Sequence, residues 1–81
     1  MRVTVRFFAR LRELAGAETV TVEVAAPATV STVWRAVTTS TPDLVPFERA
    51  ISCAINAKFS RMSHPVSEGD DVAFLPPVSG G

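Results

Sequence analysis

Two short runs of alternating apolar and polar residues, joined by a ten-residue connection, constrain this chain more than any other feature. In residues 1–8, Met1, Val3, Val5 and Phe7 fall on one face and Arg2, Thr4, Arg6 and Phe8 on the other. In residues 19–24, Val20, Val22 and Val24 oppose Thr19, Thr21 and Glu23. A period of two carried by β-branched residues is the pattern of a half-buried strand. With residues 9–18 as the connection and Gly16 as its turn residue, the runs predict an antiparallel hairpin with a long loop. Phe8 is the misfit, a large aromatic in the phase that otherwise carries Arg and Thr.

A hairpin with one apolar face needs a layer to cover it. Pro27 ends the second strand and Thr29 is a candidate helix N-cap. Val30, Val33, Trp34 and Val37 then follow the i, i+3, i+4, i+7 spacing of an amphipathic helix. Seven of residues 30–41 are Val or Thr, which are poor helix formers. Burial of Val33, Trp34 and Val37 is expected to outweigh that deficit. The helix must stop before Pro42. Residues 42–50 read as an irregular loop. Residues 51–56 predict a third strand with Ile51, Cys53 and Ile55 inward, followed by an Asn56-Ala57 turn and a short strand or edge at Phe59-Ser60-Arg61. His64-Pro65 and Glu68-Gly69-Asp70 are turn chemistry. Val72–Leu75 is the last strand, with Val72 and Phe74 on one face and Ala73 and Leu75 on the other. The order β-β-α-β-(β)-β predicts a two-layer α+β domain, its last strand beside the first and parallel to it.

Size and charge narrow the function. The chain has 81 residues and 8.6 kDa, hence one domain. Folding should hide only about 60% of its surface, which leaves little room for an enclosed active site. Eight basic residues balance eight acidic ones, against the basic excess of a nucleic-acid binder. A single Cys excludes an internal disulfide and an all-cysteine metal site. No apolar run reaches the ~20 residues of a membrane span. The opening MRVTVRFFAR has no apolar h-region, so no secretory signal is expected. A cytoplasmic domain that works with partners is the expectation.

Few residues offer chemistry of their own. His64 and Cys53 are the only ones of their kind, and a metal site would need more ligands; a turn and a core position account for them. Asp70-Asp71 beside Gly69 reads as a solvated turn. No glycine-rich phosphate loop occurs. Arg2, Arg6, Arg10 and Arg12 meet no acid before Glu13, while residues 62–81 carry three acids and neither Lys nor Arg. That pattern is either a solvated sheet face or a docking surface steered by charge. The C-terminus is anomalous: Pro76-Pro77-Val78-Ser79-Gly80-Gly81 holds half of the chain's four glycines in its last two positions. At ordinary glycine usage such an ending arises by chance about once in 200 chains. Two prolines favour an extended exit, and six extended residues reach about 20 Å. A tip without side chains can enter a narrow tunnel and present its carboxylate to another protein's active site. The alternatives are a frayed terminus or a cloning scar.

The chain resembles the sulfur-carrier small subunits of molybdopterin synthase, members of the ubiquitin-like β-grasp group. The matching stretches are Phe7-Phe8-Ala9, Arg12-Glu13-Leu14-Ala15-Gly16, Ala54-Ile55-Asn56, His64-Pro65, Glu68-Gly69-Asp70-Asp71-Val72-Ala73-Phe74 and the closing Pro-Pro-Val-Ser-Gly-Gly. The resemblance implies a β-grasp domain over residues 1–75, a mixed sheet on one main helix, and an extended tail over 76–81. It also implies a cycle on Gly81. An E1-like adenylating partner, using ATP and Mg²⁺, turns the carboxylate into an acyl-adenylate. Sulfur from a persulfide donor displaces AMP and leaves a thiocarboxylate. The carrier docks on the large synthase subunit, in a heterotetramer of two small and two large chains, and donates sulfur to a cyclic pyranopterin precursor.

On that resemblance Gly81 is the reactive residue and Gly80, Ser79, Val78 and Pro77 form the tail, while Phe8, Phe59 and Leu75 supply the apolar contact with partners. The domain itself is expected to bind no cofactor or metal and to touch neither nucleic acid nor membrane. Two other readings share the fold: a sulfur carrier for another pathway such as thiamine synthesis, and a ubiquitin-like modifier that forms an isopeptide through Gly81. A β-grasp interaction domain with an idle tail is the third.

Overall fold

A computed structural model describes residues 1–77 of the chain. Strand β1 (Arg2–Phe7) pairs antiparallel with β2 (Thr19–Glu23), with Val5 opposite Val20. Strand β7 (Asp71–Leu75) lies parallel to β1 on its other side, Val5 opposite Val72 and Phe7 opposite Phe74. Strand β4 (Ser52–Ile55) runs antiparallel to β7, and β5 (Lys58–Ser60) closes the sheet at the far edge. The order is β2-β1-β7-β4-β5, a mixed sheet with the parallel central pair that the crossover rule predicts.

Helix α2 (Val30–Ser40) covers one face. Its Val30, Val33, Trp34 and Val37 are buried against Val3, Val5, Phe7, Cys53, Val72 and Phe74. Trp34 meets Phe74 edge-on, ring centroids 4.9 Å apart, and its indole N–H donates to Glu48 at 3.2 Å. The Val- and Thr-rich sequence is helical because tertiary burial and a strong start outweigh propensity. Thr29 is the N-cap: its hydroxyl accepts from the Thr32 amide, and the Thr32 hydroxyl accepts from the Thr29 amide. The Thr38 and Thr39 hydroxyls donate back to the Arg35 carbonyl, so neither competes elsewhere. Thr29→Ala is expected to cost about 1 kcal/mol, a drop of roughly 4–8 °C in a thermal melt. An unchanged melt would mean the cap is idle.

Three segments differ from the sequence expectation. Residues 9–18 hold a helix, α1 (Ala9–Ala15), which buries Leu11. Gly16 ends it at φ 74°, the left-handed C-cap that glycine adopts without strain, rather than turning a loop. Residues 42–50 are only partly irregular: Pro42–Phe47 form a 3₁₀ helix that places Leu44 in the core, and 48–50 are turn. Pro65 leaves the expected turn to begin β6 (Pro65–Val66), which pairs with β3 (Ala28–Thr29) in a separate two-stranded ladder. Smaller shifts occur in the third strand, where Ala54 is buried beside Cys53 and Ile51 and Ile55 are half-buried. The short edge strand begins at Lys58. No helix among the described residues is long and apolar enough to cross a membrane.

Candidate functional site

The sheet face turned away from α2 carries the site. The alternation that sends Val3, Val5 and Phe7 inward sends Thr4 and Arg6 outward; on β7 it sends Asp71, Ala73 and Leu75 outward. Strand register aligns these residues in a row: Arg6 opposite Ala73, Ala73 opposite Ala54, and Ala54 opposite Phe59. The two alanines make a low floor, and the larger side chains around them make walls. The result is a groove of about 580 Å³ with Phe8, Phe59 and Leu75 among its lining residues. The three apolar residues singled out in the sequence therefore meet in one place. Phe8 is 42% exposed and Phe59 80% exposed, high values for aromatics on so small a domain.

Each wall has a local cause. Phe8 stays extended beyond β1 (φ −121°, ψ 150°), and its amide donates to the Phe74 carbonyl at 3.3 Å, so strand parity carries on for one residue. Ala9 then takes φ 51°, unusual for alanine, and turns the chain sharply into α1. Phe59 is placed by the β4–β5 hairpin, whose two turn residues Asn56 and Ala57 both have positive φ (49° and 71°), as in a type I′ turn. Asn56 fastens that hairpin to the start of β7. Its side-chain oxygen accepts from the Asp71 amide at 3.0 Å, and its amide group donates to Asp70 at 3.1 Å. Leu75 is the last residue of β7, so the groove sits where the chain leaves the sheet. Pro76 and Pro77 follow; Val78, Ser79, Gly80 and Gly81 lie outside the described residues.

One end of the groove is polar. Arg6 donates to both oxygens of Asp71, at 2.9 and 3.4 Å. The Asp71 hydrogen bond, and then its charge, hold the Arg6 guanidinium above its ordinary pKa. The pair is partly exposed and orients Arg6 more than it stabilises the fold. The sequence alone did not single out this pair, Asn56 as a fastener or the alanine floor. The outward phases of Arg6 and Ala73 and the turn position of Asn56 were the signals available for them.

The chemistry-bearing residues found in the sequence do not assemble. Cys53 is buried with its thiol donating to the Ser60 carbonyl at 3.4 Å. Burial pushes its pKa up, which disfavours the nucleophilic thiolate. His64 is exposed, and its Nδ1 donates to the Pro65 carbonyl at 2.7 Å. Asp70 accepts from the Ser67 amide at 2.8 Å and serves its turn. No three His, Cys, Asp or Glu side chains gather among the described residues. What this face offers is an apolar groove for another molecule, at the root of the C-terminal segment.

Comparisons with known proteins bear on family and fold. A family model described as the ThiS family matches residues 5–81. The molybdopterin synthase sulfur carrier subunit of Escherichia coli (strain K12) is 35% identical over 98% of this chain and 99% of its own length. The crystal structure of SAMP1 from Haloferax volcanii superposes with a TM-score of 0.87 at 31% identity, covering all of both chains. A chain in the protein–protein complex of subunits 1 and 2 of molybdopterin-converting factor from Helicobacter pylori 26695 gives a TM-score of 0.69 at 26% identity, again over all of both chains.

Proposed function

The chain belongs to the ThiS family, and on that premise we propose that it is a sulfur carrier of molybdenum-cofactor biosynthesis, the small subunit of a molybdopterin synthase. The observation that carries this reading is the position of the apolar groove. Phe8, Phe59 and Leu75 line it, and Leu75 is the residue at which the chain leaves β7. A partner that covers the groove is thereby placed to receive residues 76–81 in its own active site. That a relative is known as a protein–protein complex of subunits 1 and 2 of molybdopterin-converting factor supports a large-subunit partner.

On this reading residues 1–75 are the domain that partners recognise and 76–81 the tail that reacts. An adenylating partner, holding ATP and Mg²⁺, activates the Gly81 carboxylate; pyrophosphate leaves and an acyl-adenylate forms. The outer sulfur of a donor's persulfide displaces AMP to give an acyl disulfide, and a second thiol of the partner cleaves its S–S bond, leaving the thiocarboxylate on Gly81 and a disulfide on the partner. In the complex with the large subunit the thiocarboxylate sulfur attacks the pyranopterin precursor, and water releases the carboxylate. Two transfers supply the two sulfurs of the dithiolene. The domain contributes recognition and reach, while the partners contribute acid–base groups and metal. This reading places the protein in the cytoplasm.

Intact-mass analysis of protein co-expressed with its adenylating enzyme and a sulfur donor should show a fraction with one oxygen exchanged for sulfur, mapping to Gly81. Modification at Cys53 instead, or no modified fraction, would sink the carrier reading. The likeness to SAMP1, a chain named as a small archaeal modifier protein, favours a second reading in which Gly81 forms an isopeptide with a lysine. Lysine-linked conjugates in cell extract, absent when Gly81 is deleted, would establish that use.

A further inference from the structure

Resting on the docking reading above, we propose that a cationic groove over the β5 edge receives an acidic segment of the same partner that covers Phe8, Phe59 and Leu75. This groove, of about 560 Å³, is lined by Lys58, Arg61 and His64 together with Phe59 and Asn56. Phe59 and Asn56 line the apolar groove as well, so the two depressions meet at the most exposed aromatic of the domain. No acidic residue lines the cationic groove.

The fold leaves these cations without carboxylates of its own. Among the described residues, the ion pairs are Arg2 with Glu23, Arg6 with Asp71 and Arg10 with Glu13, and none involves Lys58 or Arg61. The two acids next to the β4–β5 turn are committed elsewhere: Asp71 to Arg6, and Asp70 to the Ser67 amide and the Asn56 side chain. Nδ1 of His64 is held by the Pro65 carbonyl, so the charge of this groove comes from Lys58 and Arg61. Size brings this region into the contact. A standard interface takes about 800 Å² from each partner, roughly a sixth of this chain's 5081 Å². Phe59 and Asn56 border both depressions, so a footprint of that size centred on Phe8, Phe59 and Leu75 reaches the rim of the cationic groove at the β5 edge. Covering unpaired cations with apolar surface costs desolvation, whereas carboxylates facing them steer the encounter and fix its register.

The test uses the full chain, its large synthase subunit and the double variant Lys58→Glu/Arg61→Glu, with association rates measured at about 0.05 M and about 0.5 M salt, where screening lengths differ several-fold. The expected result is association at least about tenfold slower than wild type at low salt, with the gap closing to within about threefold at high salt. The thermal midpoint should not move, since both side chains are exposed. Lys58→Gln/Arg61→Gln should fall between the two. Wild-type rates for the reversed variant at low salt would overturn the proposal, as would a gap that salt does not change. Phe8→Asp separates the two readings. Wild-type binding by Phe8→Asp, with the reversed variant still slow, would refute the apolar groove and keep the cationic one. A wild-type chain that does not bind the large subunit overturns both.

Discussion

Deletion of Gly81 is expected to abolish sulfur transfer in a reconstituted synthase and to leave the thermal midpoint almost unchanged. The core explains the second half. Every buried side chain of the described residues lies between Val3 and Phe74, and Gly81 has no side chain to bury. Its loss therefore touches none of the mechanisms that produce large destabilisation. Reach explains the first half. Removing one residue shortens an extended segment by about 3.5 Å, and the terminal carboxyl then falls short by a full residue. Reaction requires the joining atoms to sit about 3–3.5 Å apart, so a deficit of that size removes the geometry altogether. The readouts are turnover with the large subunit, intact mass after adenylation, and a melt. Equal turnover by the truncated chain would show that the terminus is not the reacting group. A melt lowered by several degrees would show that the terminus has a structural duty.

Most of the sheet was legible because its strands obey one period and one handedness rule. Val3, Val5 and Phe7, like Val72 and Phe74, alternate cleanly, and a parallel neighbour for the first strand follows from crossover chirality. The main helix was legible from Val30, Val33, Trp34 and Val37 even though its composition argues for a strand, because period outranks propensity when a face is buried. Helix α1 escaped because its seven residues are shorter than two full turns' worth of repeated signal and fall inside a plausible hairpin loop. Its signs were present: Leu11, Leu14 and Ala15 at helical spacing, good helix formers between them, and Gly16 just past the end. The two-residue strands β3 and β6 and the 3₁₀ turn are fixed by tertiary pairing and by Leu44 reaching the core. No periodicity exists over so few residues.

The site divides the same way. Phe8 announced itself as an aromatic in a polar phase, and Leu75 followed from the parity of the last strand. Phe59 could not be placed from sequence, since a three-residue edge strand has no readable phase. The hairpin register, Ala54 opposite Phe59, puts it on the open face. Asn56 was legible as a turn residue, but its bonds to Asp70 and Asp71 join positions 14 and 15 residues away, which only the folded sheet brings together.

Phe7 and Phe8 provide the sharpest test of that parity, since adjacent residues should respond oppositely to the same substitution. Phe7 is 1% exposed, opposite Phe74 on the central strand pair and within the core that includes Leu11 and Trp34. Truncating a buried Phe alone costs about 3–5 kcal/mol, a large share of the 5–15 kcal/mol that keeps a domain folded. Phe7→Asp adds an unpaired carboxylate in an apolar site, so no cooperative melt is expected. Phe8 stands outside this core, at the N-cap of α1, and its side chain supplies no cap hydrogen bond. Asp is a favoured N-cap residue, so Phe8→Asp should fold with an unaltered or slightly raised midpoint. Its cost should fall on binding. An aromatic anchor at the centre of an interface often accounts for 2 kcal/mol or more, about thirtyfold in affinity. We expect the Phe8→Asp chain to bind the large synthase subunit at least about tenfold more weakly at any salt concentration, since the loss is one of apolar contact. A titration paired with a melt decides the matter: a folded Phe7→Asp chain alongside an unfolded Phe8→Asp chain would mean that the strand faces the other way and that the docking surface lies elsewhere.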